Sequence, residues 1–403
     1  MHRIAFRLLA VIAVSLLMSS VSAQSTPNYG AYEALSVQEF DLLAAPGRTG
    51  AHLSPDGTRF AHFERGILCL YALTDGTWTQ ERCIESQAFD FSPEDMFWSP
   101  DGRYLTLPTF QEALVYFRDT DIQIIDVETG AVRNLTDDGI FRGPFDHPAG
   151  DLDIAPRWLD ADTLLFIRYP GNPLASRDAP FSEKFSQPLL MQIDVPANGG
   201  TSEPQIVAIL PDEGLYRFYL LTIDPARSYA AVNLDRIPDG GGTDLLRIPL
   251  DGGDIAPFAA EGTDYGLIGQ IVYSLDGQYL LISVAGETGD YISRVVSTVS
   301  GSAFEIDPNF PGDEEGVSVM GAGWSPEGSA VAYVVRSVRD PGQSGLYLTD
   351  TPGKPGRLIM QGDFYGTTCC QRMPIAWAAN DVLMLGRGSA PGVLLVQLGV
   401  SGS

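Results

Sequence analysis

The chain has 403 residues, of which 51 are acidic and 25 are basic, so its formal net charge is −26. A protein this acidic repels phosphate backbones and anionic lipid headgroups, which argues against a nucleic-acid partner and against adsorption to an anionic membrane. Beyond Ala23, no apolar stretch approaches the roughly 18 continuous residues typical of a membrane-spanning helix. We therefore expect no transmembrane segment.

The N-terminal segment has the features of a secretory signal peptide. Arg3 and Arg7 precede an apolar run over residues 8–17, and residues 21–23, Val-Ser-Ala, offer small side chains before a cleavage point. We predict that residues 1–23 are a signal peptide and that the protein is exported to the periplasm or the extracellular space. Cleavage there would remove two arginines and no acidic residue, and the mature charge would be −28.

A seven-residue pattern recurs along the remainder of the chain, and residues 98–104, Trp-Ser-Pro-Asp-Gly-Arg-Tyr, are its clearest copy. Weaker copies follow at a spacing typical of β-propeller blades. The residues that align with the serine of the pattern are Ser54, Ser99, Leu159, Asp224, Ser274, Ser325 and Ala378. An apolar residue precedes each of them, and in four copies it is tryptophan. We expect these tryptophans to pack between neighbouring blades.

Each copy predicts a tight hairpin, because proline presets φ at the first turn position and glycine accepts a positive φ after aspartate. A second hairpin follows, and in the first unit it joins residues 67–73 to residues 79–84 around Asp75-Gly76. Each unit then holds four short antiparallel strands, named A to D in chain order with A innermost. The seven units predict an all-β fold, a seven-bladed β-propeller of four-stranded antiparallel blades.

The last unit lacks a fourth strand, because only Gly399 to Ser403 follow the apolar segment 393–398. Residues 35–43 precede the first unit and have no partner of their own. We predict that they form an N-terminal strand that completes the last blade and closes the ring, which removes two open sheet edges. No linker-like tract divides the chain, so we predict a short lead over residues 24–34 and one propeller domain over residues 35–403.

Four cysteines in an exported chain permit three pairings. Cys69 and Cys83 are equally distant in sequence from Gly76, and an odd-length loop over residues 75–77 would set them directly opposite each other. Opposed residues of an antiparallel pair are close enough for a disulfide, so we predict a Cys69–Cys83 bond. Cys369 and Cys370 are adjacent, and we expect a vicinal disulfide there, with two free thiols as the alternative.

Antiparallel blades send the A–B and C–D turns to one face and the B–C and D–A connections to the other. The insertions of this chain accumulate in the second set, over residues 109–120, 137–154, 169–187, 308–320 and 362–373. Long connections on one side of a rigid scaffold are the usual place for a ligand or partner. The aromatic residues predicted to contact that partner are Phe141, Phe145, Phe181, Phe185, Phe364 and Tyr365. Packing of these side chains back over the propeller is the alternative.

Motifs of catalysis are scarce. The sequence contains no Gly-x-Ser-x-Gly, no His-Glu-x-x-His, no Gly-x-x-x-x-Gly-Lys and no Cys-x-x-Cys. Asp146, His147, Asp151 and Asp153 form an oxygen-rich cluster with one imidazole, which could hold a divalent cation. A solvated acidic loop is the alternative that we favour. We expect no cofactor, and a cation such as Ca²⁺ is the one exception considered.

The Trp-Ser-Pro-Asp-Gly copies beginning at Trp98 and Trp324, each followed by an apolar strand, resemble TolB-type propeller repeats. The opening segment 41–61 is also similar to the start of prolyl-oligopeptidase propellers. That second resemblance would imply a hydrolase domain, but only the short segment 384–403 follows Leu383 and no nucleophile elbow occurs, so we do not expect peptidase activity. The TolB-type resemblance implies the propeller fold and is weak for function.

Two functional hypotheses remain. The one that we favour is a secreted, non-enzymatic propeller that binds a protein or cell-envelope ligand through the face with the long connections. The alternative is a metal-dependent hydrolase or lyase whose site, built around His147 and nearby acids, lies at the mouth of the central channel.

Overall fold

The structure, a computed structural model, describes residues 28–41, 51–64, 67–85, 96–108, 121–137, 150–176, 178–196, 200, 202–211, 220–235, 243–258, 265–266, 268–285, 291–310, 316–365, 375–387 and 392–400. The predicted signal peptide and the Cys369-Cys370 pair lie outside these residues. Within them, no helix is both long enough and apolar enough to span a bilayer.

The predicted architecture of seven antiparallel blades is confirmed. The strand β1 (Tyr32–Phe40) comes first in the chain and belongs to the last blade. Blades one to three are β2 (Ala51–Leu53), β3 (Arg59–Glu64), β4 (Ile67–Thr74), β5 (Thr77–Glu85); β6 (Phe97–Trp98), β7 (Tyr104–Pro108), β8 (Ile122–Asp126), β9 (Val132–Asn134); and β10 (Leu152–Trp158), β11 (Thr163–Tyr169), β12 (Leu189–Asp194), β13 (Gln205–Ile209). A short helix, α1 (Phe181–Lys184), lies between β11 and β12.

The remaining blades continue the same up-and-down order. Blades four to six are β14 (Leu221–Ile223), β15 (Tyr229–Asp235), β16 (Thr243–Pro249), β17 (Ala256–Pro257); β18 (Ile268–Tyr273), β19 (Tyr279–Ala285), β20 (Tyr291–Ser297), β21 (Ala303–Glu305); and β22 (Val317–Trp324), β23 (Val331–Ser337), β24 (Gly345–Thr349), β25 (Arg357–Gln361). Blade seven comprises β26 (Phe364–Tyr365), β27 (Ala376–Trp377), β28 (Val382–Arg387), β29 (Val393–Val400) and β1.

The innermost strand of blade seven is built in two pieces. β26 pairs with β28 through Phe364 and Tyr365, and β27 pairs with the same strand further along through Ala376 and Trp377. The prediction that the whole of residues 362–373 is a connection is therefore wrong for its first part. The register of β28 brings Phe364 and Tyr365 into the sheet.

The ring closes as predicted, by pairing of the two chain termini. β1 runs antiparallel to β29, from Tyr32 opposite Val400 to Phe40 opposite Val393. The strand starts earlier than the predicted residue 35, because Tyr29 and Tyr32 are buried there. The ring of Tyr29 lies edge-on to that of Trp377, with 5.2 Å between ring centroids.

A carboxylate also fastens this closure. The hydroxyl of Tyr32 donates a hydrogen bond to Oδ2 of Asp381 at 3.1 Å, and Nε1 of Trp377 donates to Oδ1 of the same residue at 3.3 Å. Asp381 thus joins the N-terminal strand to the A–B turn of blade seven.

The core is a set of inter-blade layers. Seven clusters of buried apolar residues occur among the described residues, and each joins two neighbouring blades, the last joining blade seven to blade one. Because both faces of a blade are covered, inner strands such as β11 and β23 are almost fully buried and nearly all apolar. The outer strand β5 is mostly exposed and polar.

The tryptophans of the repeat bridge neighbouring blades, as predicted. Each indole of blades two, three and six donates a hydrogen bond to a backbone carbonyl of the innermost strand of the preceding blade: Trp98 to His52 at 2.9 Å, Trp158 to Phe97 at 3.3 Å and Trp324 to Val272 at 3.3 Å. Trp377 of blade seven bonds to its own turn instead. The indole rings therefore set the spacing between innermost strands as well as filling the core.

The A–B turns explain why the same residue types recur in the repeat. In blade one, Oγ of Ser54 donates to Asp56 at 2.6 Å and accepts from the backbone N–H of Arg59 at 2.9 Å. The same two bonds recur at Ser99 and Ser274. The glycine of the motif has a φ of 69° to 72° in four of these turns, a conformation that favours glycine. The turns are thus rigid hydrogen-bonded units.

The predicted Cys69–Cys83 disulfide is confirmed, although the turn beside it differs from the expected one. β4 and β5 are joined by the tight turn Asp75-Gly76, with both residues at positive φ. A bulge at Glu81 then supplies the extra residue that sets the cysteines opposite each other. With a sequence separation of 14, the bond stabilises the fold by about 3 kcal/mol through loss of chain entropy in the unfolded state.

Candidate functional site

The two faces of the propeller are built differently. On one, here called the turn face, the A–B turns are short in every blade, and the longest spans only residues 325–330. On the other, here called the long-connection face, the B–C connections range from residues 65–66 in blade one to residues 170–188 in blade three. The D–A connections on that face are also long, and the one between blades two and three spans residues 135–151. One turn of the turn face is long: the C–D turn of blade three, which spans residues 195–204. Length variation therefore concentrates on the long-connection face.

The B–C connection of blade three is held together at its base. Its two sides meet in a backbone bridge between Gly171 and Phe185, and the side-chain amide of Asn172 donates to a carbonyl of α1 at 3.0 Å. Leu174, which lies between these two sides in the sequence, is 92% exposed. The base of the connection is thus fixed, and beyond it an apolar side chain is offered to solvent.

The innermost strands differ in side-chain size at one repeat position. The residue before the tryptophan position of each innermost strand is large in blades one to three and small in the other four: His52, Phe97 and Arg157, then Thr222, Val272, Gly323 and Ala376. The guanidinium carbon of Arg157 lies 3.5 Å from the centroid of the Phe97 ring. The ring of His52 is 6.3 Å from the same ring. A positive charge is therefore stacked on an aromatic ring at the inner edge of blades two and three.

A buried ion pair stands at the start of blade three. Asp153 on β10 and Arg168 on β11 are directly opposed, and the guanidinium makes two bonds of 2.7 Å to the carboxylate. Arg168 also contacts Asp151 at 3.1 Å. Burial raises the pKa of Asp153 to about 7, although Arg168 and a hydrogen bond from Thr136 pull that pKa downward. These contacts hold β10 against β11.

The predicted metal cluster is only partly within the described residues. Asp151 and Asp153 are brought together, but by Arg168, whereas Asp146 and His147 lie outside the described residues. Among the residues that are described, no group of three or more His, Cys, Asp or Glu could hold a metal ion. A cation site that includes His147 stays a prediction.

The predicted partner-binding aromatic residues fall into two groups. Phe185 and Phe364 are buried, at 6% and 7% exposed, in the core clusters of blades three and four and of blades six and seven. These two therefore follow the packing alternative. Phe141, Phe145 and the side chains of Phe181 and Tyr365 lie outside the described residues, so partner contact by them stays a prediction.

His62 occupies the core of blade one. It lies on β3 between Ala51 and Cys69, and its Nε2 finds no hydrogen-bond partner within the described residues. Burial lowers the pKa of the imidazole to about 4. The placement agrees with a structural role for a residue on a central strand.

Acidification should destabilise the protein through His62. The unfolded imidazole gains a proton below pH ~6.5, whereas the folded one resists protonation down to about 4, so stability is lost as pH falls through that window. Relative to His62→Leu, the wild type should lose about 2 kcal/mol of unfolding free energy between pH ~7.5 and ~5. The measurement is denaturant unfolding of both proteins at each pH.

The quantity to follow is the difference in unfolding free energy between the wild type and His62→Leu, because Asp153 affects the pH dependence of both proteins in the opposite direction. The raised pKa of its carboxyl means that the folded protein holds a proton between pH ~4 and 7 that the unfolded chain releases, so its contribution falls as pH rises. Parallel stability profiles of wild type and His62→Leu would show that His62 does not titrate as inferred.

Two features of the site were missed in the sequence. The pairing of Arg168 with Asp153 depends on the β10–β11 register, which is shifted by a bulge between Ile154 and Arg157. Arg157 had a visible signal: it occupies, directly before Trp158, a repeat position where no other unit has an aspartate, glutamate, lysine or arginine.

No family model and no curated protein matches the chain. Among solved structures, the β-propeller domain of Myceliophteria thermophila Cps50 (Swd1) is 14% identical, with a TM-score of 0.49, covering 90% of this chain and 99% of that one. TolB from Acinetobacter baumannii is 11% identical, with a TM-score of 0.41, covering 91% of this chain and 79% of that one. We base the functional proposal on the residues of this chain alone.

Proposed function

We propose that this protein is an exported, non-enzymatic β-propeller that binds a protein or cell-envelope ligand through its long-connection face. One observation carries the proposal: the turn face repeats the same short hydrogen-bonded turn, whereas the B–C connections of the opposite face differ widely in length from blade to blade. Variation of this kind on one side of a rigid scaffold adapts a surface to a partner without disturbing the core.

The long-connection face carries two exposed apolar side chains that we propose as anchors of the partner. Leu174 and Val338, in the B–C connections of blades three and six, are 92% and 72% exposed. Apolar anchors that project from a polar surrounding contribute most of the energy of typical protein interfaces. The strongly acidic composition, with a net charge of −26, adds a preference for a partner with complementary positive charge around those anchors.

The test exploits two matched pairs of substitutions. Leu174→Asp with Val338→Asp alters the long-connection face, and Val299→Asp with Leu275→Asp places the same changes on the turn face, where those side chains are 89% and 55% exposed. An affinity pull-down from the native cell-envelope fraction measures how much partner each variant retains. We expect the first pair to reduce retention by about tenfold or more and the second to leave it unchanged.

Both double variants should melt cooperatively at nearly the wild-type temperature, since all four side chains are exposed. Loss of retention in the Val299 and Leu275 variant alone would place the binding surface on the turn face. Equal retention by all three proteins would contradict the proposal.

A further inference from the structure

Two of the long connections meet at one carboxylate. Asp151 is the last residue of the D–A connection between blades two and three, and Gly171 is the second residue of the B–C connection of blade three. Oδ1 of Asp151 accepts a hydrogen bond from the backbone N–H of Gly171 at 2.9 Å. Asp151 therefore joins two segments that both belong to the long-connection face.

Arg168 fixes the orientation of that carboxylate. Its Nη1 lies 3.1 Å from Oδ2 of Asp151. Its Nε and Nη2 donate to the fully buried carboxyl group of Asp153, each at 2.7 Å. Because a guanidinium is planar and this one is held at two of its nitrogens, the third contacts Asp151 from a fixed direction. The two oxygens of Asp151 thus have separate roles, since Oδ2 contacts the arginine and Oδ1 holds the B–C connection.

Hydrogen bonds extend this order from Gly171 to Leu174. The side-chain oxygen of Asn172 accepts from the backbone N–H of Leu174 at 3.0 Å, and the backbone N–H of Asn172 donates across the connection at 2.7 Å. The far side of the connection is anchored by Phe185, which is buried in the core between blades three and four. The Asp151 contact therefore acts on the near side, which carries the exposed Leu174.

We propose that Asp151 is a positioning residue of the long-connection face, which holds the B–C connection of blade three in the conformation that presents Leu174 to the partner. Since Leu174 is one of the two anchors named under the proposed function, this role of Asp151 rests on that proposal. A connection that is ordered before binding loses less conformational entropy on association, so its affinity is higher. Loss of the Asp151 contact should therefore weaken binding although Leu174 itself is unchanged.

Asp151→Ala in the intact protein tests this role with two readouts. Amide hydrogen exchange of Asn172 and Leu174, measured by NMR, reports the order of the connection, and the pull-down from the native cell-envelope fraction reports partner retention. We expect both amides to exchange about fivefold or more faster and retention to fall by about the same factor, as for the loss of one hydrogen bond. The variant should still melt cooperatively, because Asp153 keeps both bonds from Arg168.

Asp160→Ala is the matched control, since Asp160 belongs to the same blade but lies in its A–B turn, on the turn face. Its side chain is 33% exposed, against 27% for that of Asp151. It likewise accepts a backbone N–H, that of Asp162 at 3.1 Å, and lies 4.0 Å from an arginine. Both variants remove one carboxylate, so an effect of net charge alone would occur in both. We expect Asp160→Ala to leave retention and the exchange of Leu174 unchanged.

A double variant separates positioning from general destabilisation. If Asp151 acts through Leu174, addition of Asp151→Ala to Leu174→Asp should cause no further fall in retention, whereas independent effects would multiply. Multiplied losses, wild-type retention or wild-type exchange in Asp151→Ala, or an equal loss in Asp160→Ala would overturn the role of Asp151. Wild-type retention by Leu174→Asp would overturn it as well, whereas wild-type retention by Leu174→Asp with Val338→Asp would contradict the proposed function itself.

Discussion

The protein that lacks residues 24–40 should lose the cooperative melting transition of the intact ring. Without β1, blade seven is left with an open edge along β29, and the buried rings of Tyr29 and Tyr32 are lost. β1 pairs with β29 at eight positions, and at about 0.5–1.5 kcal/mol for each hydrogen bond the ladder alone is worth about 5 kcal/mol or more. Differential scanning calorimetry measures the loss.

A peptide provides the control for this truncation. Addition in trans of a peptide that comprises residues 28–41 should restore a cooperative transition whose midpoint rises with peptide concentration. A scrambled peptide of the same composition should not, because the register with β29 would be lost. Melting of the truncated protein at the wild-type temperature would show that the strand does not close the ring.

Arg168→Leu should lower the free energy of unfolding by about 3–5 kcal/mol, because it removes both guanidinium hydrogen bonds from the fully buried side chain of Asp153. Asp153 is 0% exposed and receives two bonds of 2.7 Å from the guanidinium. The double variant Asp153→Leu/Arg168→Leu should be more stable than Arg168→Leu, since a well-packed apolar pair costs less than a buried carboxyl group that has lost its guanidinium donor. Urea unfolding at neutral pH measures all three proteins.

Arg294→Leu is the matched control for that ion pair. Arg294 contacts Glu305 at 3.1 Å, but both side chains are about a quarter exposed, at 28% and 26%. Solvent screens such a pair, and we expect Arg294→Leu to cost about 1 kcal/mol or less. A loss for Arg168→Leu no larger than that for Arg294→Leu would contradict the assigned role of the buried pair.

The repeat motif was sufficient to predict the fold because each of its residues has a local task. The serine and aspartate bond within the A–B turn, the glycine takes the positive φ, and the tryptophan bonds to the preceding blade. Closure of the ring could be predicted because the last unit lacks one strand and the N-terminal segment supplies one. The Cys69–Cys83 disulfide was predicted correctly from a turn that differs from the real one. The tight turn and the bulge at Glu81 together give the same register as the expected odd-length loop.

What could not be predicted depends on irregular register. The bulge in β10 before Arg157, and the pairing of Asp153 with Arg168, are consequences of how β10 lies on β11 and of one extra residue. Pro156 marks an irregular place in the strand, since proline cannot donate to the ladder, but it does not specify the register on either side. The burial of Phe185 and Phe364 was similarly hidden, because an aromatic residue in a long connection suits either a partner surface or a core that closes over it.

Tyr32, Trp377 and Asp381 join the N-terminal strand to the last repeat of the chain. The boundaries of the sequence repeats therefore do not coincide with the boundaries of blade seven. Every other blade is one contiguous repeat, whereas blade seven combines strands from both ends of the chain. A duplication or deletion of one whole repeat between these ends therefore leaves the fastening residues untouched. The number of blades can change during evolution while the residues that close the ring stay the same.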